Sequence, residues 1–167
     1  MTGLDPARLI VCERTGRWAV ALRRELTEAG VRVWETRSLA DCWDELASSP
    51  ASFLILELAR NPRPLLDRLA RLPRTFAAAR AAVISDRSLA HYEWLLREAG
   101  AVHFVCSPRE LAPLARIVCR HLAQAPASPK TLTEQIWAEL PWGEQGSEIR
   151  DQRSGARDEG CEMGDVR

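Results

Sequence analysis

The segment Ser52-Phe53-Leu54-Ile55-Leu56-Glu57-Leu58 is an apolar run with one acidic residue near its end, and Ala59-Arg60-Asn61-Pro62 follows it. An apolar run of this length, bounded by turn residues, is typical of a strand buried on both faces in the middle of a parallel sheet. In an open parallel sheet, ligands bind at the carboxyl ends of the strands. Glu57 is therefore the first candidate for a functional side chain, and a solvated strand-end charge is the alternative.

Short apolar runs and helical stripes alternate on both sides of this segment. Further strands are predicted at 8–13, 31–35, 81–85 and 102–106. Helices are predicted at 17–29, 38–48, 65–72, 88–99 and 109–122. Five strands alternating with five helices predict a doubly wound α/β domain with right-handed crossovers.

Capping residues predict where some of these helices begin and end. Thr15 is a candidate cap for the first helix, and Ser38 with Asp41 resembles a capping box at the second. Ser88 is the candidate cap of the fourth helix, and Pro73 is expected to end the third because proline lacks the donor that a helix interior needs.

Composition narrows the function classes. The chain has 167 residues, 23 basic and 23 acidic, so one domain with spare length is expected, and no global field recruits nucleic acid or an anionic membrane. No basic helix or output domain follows the α/β part, so DNA binding is not expected. Neither a signal peptide nor a membrane span is recognisable in the sequence, which favours a cytoplasmic protein.

The cysteines and histidines show no spacing that is typical of a metal site. These residues are Cys12, Cys42, Cys106, Cys119, Cys161, His91, His103 and His121. Most of the thiols are expected to fill the core. Cys12 and Cys106 end predicted strands on the crevice side, but no His and acid partners that would activate a thiolate can be placed beside them.

The sequence after the α/β part divides into three pieces. Residues 124–130 read as an extended linker, and 143–167 as a disordered tail rich in charged residues. Between them, 131–142 has the spacing of an amphipathic helix carrying two tryptophans, with the residues Leu132, Ile136, Trp137, Leu140 and Trp142. We interpret this piece as a docking motif for the chain's own domain, for a protein partner or for a second copy of the chain.

The strand ends resemble those of a response-regulator receiver domain of the CheY type over about residues 7–123. Ile10-Val11 leads into the acid-pair position, occupied here by Cys12 and Glu13, and Glu57 stands where the family has its phosphoaccepting Asp. The other marks are Ser85 at the Ser/Thr switch position, Phe104 at the aromatic switch position and Pro108 after the lysine position. The resemblance implies a flavodoxin-like parallel sheet of order 2-1-3-4-5, with a C-terminal helical tail added in this chain.

The departures from the family pattern fall on the phosphorylation site. One acid of the pair is lost, Glu57 is one methylene longer than Asp, and Ser107 occupies the lysine position. Phosphoryl transfer depends on positioning and on cations around the developing charge, so these losses remove most of the apparatus. The resemblance therefore implies a pseudo-receiver in bacterial two-component signalling, with no enzymatic activity and no cofactor. Magnesium is not expected, and Glu13 and Glu57 are the only candidate ligands for it.

Two other functions stay open at this point. One is a working phosphoacceptor that uses Glu57 or Ser85, and the other is a structural subunit that self-assembles through the tail. By resemblance, the usual partner surface of the family is the face formed by the fourth helix, fifth strand and fifth helix. In this chain that face carries Tyr92, Trp94, His103, Arg109 and Arg116.

Overall fold

The structure is a computed structural model that describes residues 5–125. The predicted docking motif at 131–142, the predicted disordered tail at 143–167 and all but the first two residues of the predicted linker lie outside the described residues. The same holds for Cys161.

Five parallel strands form one sheet of order β2-β1-β3-β4-β5, which confirms the predicted fold class. The strands are β1 (Leu9–Cys12), β2 (Val33–Thr36), β3 (Phe53–Glu57), β4 (Arg80–Ile84) and β5 (His103–Val105). The strand β3 lies at the centre, and its residues from Phe53 to Leu56 are fully buried. Cys12 pairs with Leu56 and Glu57 with Ile84, so the ends of β1, β3 and β4 share one edge of the sheet.

Five α-helices cover the sheet, and two 3-10 segments precede the last two of them. The helices are α1 (Arg17–Glu25), α2 (Leu39–Ser48), α3 (Arg63–Thr75), α4 (Glu93–Glu98) and α5 (Leu111–Gln124), and the 3-10 segments are Arg87–Tyr92 and Pro108–Glu110. No helix within residues 5–125 is long and apolar enough to cross a membrane.

The core has two layers because successive strand residues point to opposite faces of the sheet. On one face, Val11 and Ile55 pack with Trp18 of α1 and Leu114 of α5. The other face packs against α2, α3 and α4, with Ile10, Leu54, Leu46, Leu69 and Leu96 in the cluster. The strands therefore supply the unbroken apolar runs that the sequence shows, since both of their faces are covered.

Several predicted helix boundaries are wrong. Thr15 does not cap α1, because Gly16 is the N-cap residue and has no side chain. Pro73 lies inside α3 rather than ending it. The proline has no N–H to donate and its ring crowds the carbonyl of Leu69, but the helix continues until the Phe76 N–H donates to the Leu72 carbonyl at 2.8 Å. Ser38 does cap α2, and its hydroxyl accepts from the Asp41 N–H at 3.1 Å, as predicted.

The predicted fourth helix is half 3-10 helix and half α-helix. None of the residues from Arg87 to Tyr92 is fully buried, and within the segment Leu89 and Tyr92 pack only in part against the core. The helix α4 begins only at Glu93, and of its two leucines Leu96 is buried whereas Leu95 is 40% exposed.

Candidate functional site

The carboxyl edge of the sheet brings Cys12, Glu13, Glu57, Ser85 and Ser107 to one crevice. Each residue stands at or just beyond the end of β1, β3, β4 or β5, and these four strands are neighbours. Two backbone hydrogen bonds fix this edge, from the Leu58 N–H to the Ile84 carbonyl and from the Ser85 N–H to the Val105 carbonyl, both at 2.9 Å. The topology therefore places the candidate site residues together, and the side-chain contacts decide what each can do.

Glu13 is turned away from the crevice and is only 1% exposed. Its Oε2 accepts from the Trp18 N–H at 3.0 Å, and its Oε1 accepts from the Ala19 N–H at 2.5 Å. These amides belong to the first turn of α1, whose donors have no partner inside the helix and favour an anion through the helix dipole. Both carboxylate oxygens of Glu13 are therefore occupied in capping α1.

Gly16 makes this capping geometry accessible to the chain. Its backbone has φ of 80°, a left-handed conformation that turns the chain sharply between β1 and α1. The helix then begins at Arg17, four residues after Glu13, and its N-terminus points back at that carboxylate. The left-handed turn favours glycine at this position, and the turn brings the N-terminus of α1 within reach of the Glu13 carboxylate.

Glu57 keeps its place at the crevice, and its side chain is 15% exposed. Its Oε2 accepts from the Arg14 N–H at 2.8 Å, and the Arg14 Nε lies 4.0 Å from the same oxygen. The loop after β1 therefore holds Glu57 by one backbone donor and one nearby cation. Sequence reasoning did not single out Arg14, because its partner is 43 residues away and only the pairing of β1 with β3 brings the two together.

An ion pair between Arg17 and Asp86 joins the start of α1 to the loop after β4. This contact raises the pKa of Arg17, because the Asp86 carboxylate stabilises the charged guanidinium. The mouth of the crevice is thus lined by Arg14 and Arg17. Neither arginine carried a motif that sequence reasoning could have used to find it.

The hydroxyl groups of the two serines at the crevice form hydrogen bonds with neighbouring backbone groups. Ser85 is buried, and its hydroxyl donates to the Asp86 carbonyl at 3.2 Å. The Ser107 hydroxyl accepts from the Arg109 N–H at 3.3 Å and caps the short 3-10 segment. Phe104 is buried against the face that carries α4, so it lies in the core.

Cys12 and Cys42 lie next to each other beneath the crevice, on β1 and α2. A hydrogen bond with the Cys42 thiol lowers the pKa of Cys12, and the same contact together with burial raises the pKa of Cys42. Both thiols are buried, and burial also raises the pKa of Cys106. No sequence pattern predicts this pair, because 30 positions separate the two cysteines and only the fold brings them together.

Exposed apolar residues concentrate on α4 and on the approach to β5. Of the four large apolar residues exposed within residues 5–125, Trp94, Leu95 and Val102 lie here, and Trp94 is 71% exposed. Tyr92 is half-buried with its ring 4.1 Å from that of His91. His103 lies nearby, and burial together with the charge of Arg97 lowers its pKa.

The acidic residues of the crevice do not fit a magnesium ion. Such ions are bound by carboxylates with open oxygens, but both oxygens of Glu13 accept from α1 and one oxygen of Glu57 accepts from Arg14. Within residues 5–125, His, Cys, Asp and Glu side chains form no group of three or more that could hold a metal.

The sequence matches no family model and no curated protein. Solved structures do match the fold, and they include a response regulator from Thermotoga maritima at 18% identity, covering 72% of this chain and all of the other, with a TM-score of 0.57. An orphan response regulator of H. pylori matches at 18% identity over 71% of this chain and 98% of its own, also with a TM-score of 0.57.

A CheY-like protein, TadZ, from Pseudomonas aeruginosa matches at 20% identity over 75% of this chain and all of its own, with a TM-score of 0.56. At these identities the likeness establishes the fold, that of CheY-like receiver domains, and the fold alone.

Proposed function

We propose that this protein is a pseudo-receiver, a regulatory protein-interaction module that works without phosphorylation. The observation that carries the proposal is the position of Glu13, the one acid left at the acid-pair position, whose two oxygens are 2.5 and 3.0 Å from amides of α1. A carboxylate used in this way stabilises the start of α1, and each of its oxygens already has one donor, which leaves it less free to bind a cation in the crevice.

The other parts of a phosphorylation site have local partners as well. Glu57 is held by Arg14, Ser85 by the neighbouring carbonyl, and Ser107 by the 3-10 segment that it caps. Phosphoryl transfer is catalysed by positioned cations and by accurate placement of the nucleophile, on a scale of about 1 Å. The crevice instead presents a fixed negative charge at Glu57 beside Arg14, which favours one constant signalling-like conformation.

The test is an amide NMR spectrum of the full chain, titrated with magnesium and then with beryllofluoride, which stands in for a phosphoryl group on a carboxylate. We expect no shifts around Glu13, Glu57, Ser85 or Ser107. Clustered shifts at these residues would contradict the proposal and would support the phosphoacceptor alternative. The matched variant Glu57→Asp supplies the shorter acceptor carboxylate, and it too is expected to stay silent because Glu13 remains occupied.

The surface that fits a protein partner contains Trp94, Leu95 and Val102, three apolar side chains exposed together near His103. Aromatic residues that stand free on a surface are enriched among interface hot spots, because their burial removes a large apolar area from water. Arg109 and Arg116 are exposed on the neighbouring elements and provide a polar border. We propose that this face, and not the crevice, is the binding surface of the module.

Trp94→Ala tests the surface, with Val20→Ala on α1 as the matched control, because Val20 is the remaining exposed large apolar residue of the described chain. A partner captured by the full chain is expected to be lost with Trp94→Ala and retained with Val20→Ala. Equal capture by both variants would contradict the assignment. Light scattering of the same proteins distinguishes a separate partner from a second copy of the chain.

A further inference from the structure

The arginines of this protein are unevenly distributed over its surface. Residues 60–80 contain six arginines and one acidic residue, Asp67, whereas the rest of the described chain has 12 arginines and 13 acidic residues. All of the net positive charge of residues 5–125 therefore comes from α3 and its flanks. The balanced total charge of the sequence conceals this segregation.

The helix α3 presents this charge on its solvent face. Leu65, Leu69 and Leu72 are buried against the sheet, while Arg63, Arg71 and Arg74 are exposed. Arg63 and Arg74 are 11 positions apart, which corresponds to about 16 Å along the helix axis. The α3 basic face is defined here as Arg63, Arg71 and Arg74 together with Arg60, which is exposed in the loop that leads into the helix.

Six of the 12 arginines elsewhere in the described chain form ion pairs, whereas the six arginines of residues 60–80 form none. Within residues 5–125, salt bridges form at Arg8, Arg14, Arg17, Arg23, Arg37 and Arg97, and none involves an arginine of residues 60–80. Arg68 instead stacks on Trp43 at 5.0 Å, and Arg80 donates to the carbonyls of Ala77 and Ala79. The four arginines of the α3 basic face are thus left for a partner.

The chemistry of the face selects the kind of partner. No large apolar residue is exposed between residues 60 and 80, so the face has no anchor for a protein hot spot or for insertion into a lipid surface. Exposed ion pairs with scattered carboxylates contribute about 0.2–1 kcal/mol each, which does not offset the cost of association. A polyphosphate backbone binds differently, because each neutralised phosphate releases condensed counterions.

We infer that the α3 basic face binds the phosphate backbone of a double-stranded nucleic acid without reading its sequence. A duplex carries one charge per about 1.7 Å of its axis, so the arginines along 16 Å of helix meet a dense row of phosphates. Arginine suits this contact because its planar guanidinium bonds two phosphate oxygens at once. A single strand fits less well, since the face offers no exposed aromatic ring on which bases could stack.

Fluorescence anisotropy with the full chain and a labelled DNA duplex of about 20 base pairs tests this inference between about 50 and 200 mM salt. Four phosphate contacts predict a slope of log K against log salt of about −3 to −4. Arg71→Gln with Arg74→Gln should reduce that slope by about 2. The control pair Arg24→Gln and Arg120→Gln removes two exposed arginines without ion pairs, one on α1 and one on α5, and should leave the slope unchanged.

Three outcomes would overturn the inference. No binding of the duplex at low salt would remove it outright. Equal losses in the α3 variant and in the control variant would show diffuse attraction and no site. The face would belong to another polyanion if the single strand bound more tightly than the duplex. The same would follow if phosphatidylglycerol vesicles, and not the duplex, bound in a way that depends on the α3 arginines. Circular dichroism of each variant checks that the fold is intact, as expected for exposed substitutions.

Discussion

The corner between β1 and α1 and the corner between β3 and α3 use a glutamate at the same edge of the sheet in opposite ways. Glu13 is 1% exposed and caps α1 with both oxygens, whereas Glu57 stays at the crevice and accepts from the loop at Arg14. The distance to the next helix makes the difference. The helix α1 begins four residues after Glu13, but α3 begins six residues after Glu57, and Asn61 accepts from the Arg63 N–H at 3.2 Å.

The role of a carboxylate at a strand end therefore depends on where the next helix starts. A helix N-terminus within reach takes the carboxylate as a cap, because four amide donors there have no partner in the helix. Where the helix starts later, another residue serves its first turn and the carboxylate stays available to the crevice.

The largest effect is expected from Glu13→Ala. Two buried amides of α1 would lose charge-assisted hydrogen bonds, so we expect the free energy of unfolding to fall by about 3 kcal/mol. Glu57→Ala, with one bond at a more exposed position, should cost less than about 1 kcal/mol. Urea denaturation of both variants measures the two losses in the free energy of unfolding. Equal losses would contradict the different roles assigned to Glu13 and Glu57.

A smaller effect is expected from Gly16→Ala. An alanine at φ of 80° is strained, so we expect a loss of about 1–2 kcal/mol. Gly30→Ala is the matched control, since Gly30 has φ of 62° and free space around it but does not position Glu13. Thermal and urea denaturation should show similar losses in the free energy of unfolding for Gly16→Ala and Gly30→Ala. No loss for Gly16→Ala would mean that the turn before α1 changes its conformation without strain.

The Arg17–Asp86 ion pair should contribute less than either corner. Both side chains are largely exposed, so a double-mutant cycle with Arg17→Gln and Asp86→Asn is expected to give a coupling of about 0.5 kcal/mol. High salt should reduce the coupling, because mobile ions screen exposed charges. A coupling that persists at about 1 M salt would show that the crevice is more enclosed than its exposure indicates.

The smallest effect concerns His103, which lies outside both corners. Burial lowers its pKa in the folded state, so the unfolded chain takes up the proton first as the pH falls. The contribution of His103 to stability is therefore complete above about pH 6.5 and decreases as the pH falls toward the lowered folded pKa. His103→Gln should flatten the stability curve between about pH 7 and 5, and an unchanged curve would assign the acid sensitivity to other groups.

The central strand and one helix cap were predicted correctly from the sequence, whereas two helix boundaries were not. The run from Phe53 to Glu57 predicted the central strand correctly, because burial on both faces requires an unbroken apolar run. Ser38 was identified correctly as a cap, since capping depends on residues three positions apart. Thr15 and Pro73 were misread, because the turn at Gly16 and the length of α3 depend on packing against the sheet as well as on local preference.

The crevice was less predictable than the fold. Resemblance placed Glu13 and Glu57 at one edge of the sheet, but it did not show that Glu13 faces α1 or that Arg14 reaches Glu57 across 43 positions. The contact between Cys12 and Cys42 and the unpaired arginines of α3 were missed for the same reason. Each depends on which elements lie side by side and on which side chains find a partner.

The sequence was sufficient to predict the five-stranded α/β fold. The spacing of apolar residues shows which segments are strands or helices and which of their faces must be buried, and the order of these segments along the chain then predicts the fold class. The resemblance to receiver domains also predicts an incomplete acid pair at Cys12 and Glu13 and places Ser107 at the lysine position, and both stay predictions. The capping of α1 by Glu13 and the lack of ion pairs at the arginines of residues 60–80 were decided by the tertiary structure alone. Hydrogen bonds and ion pairs act over a few ångströms, so their partners are set by the folded geometry and not by distance along the chain.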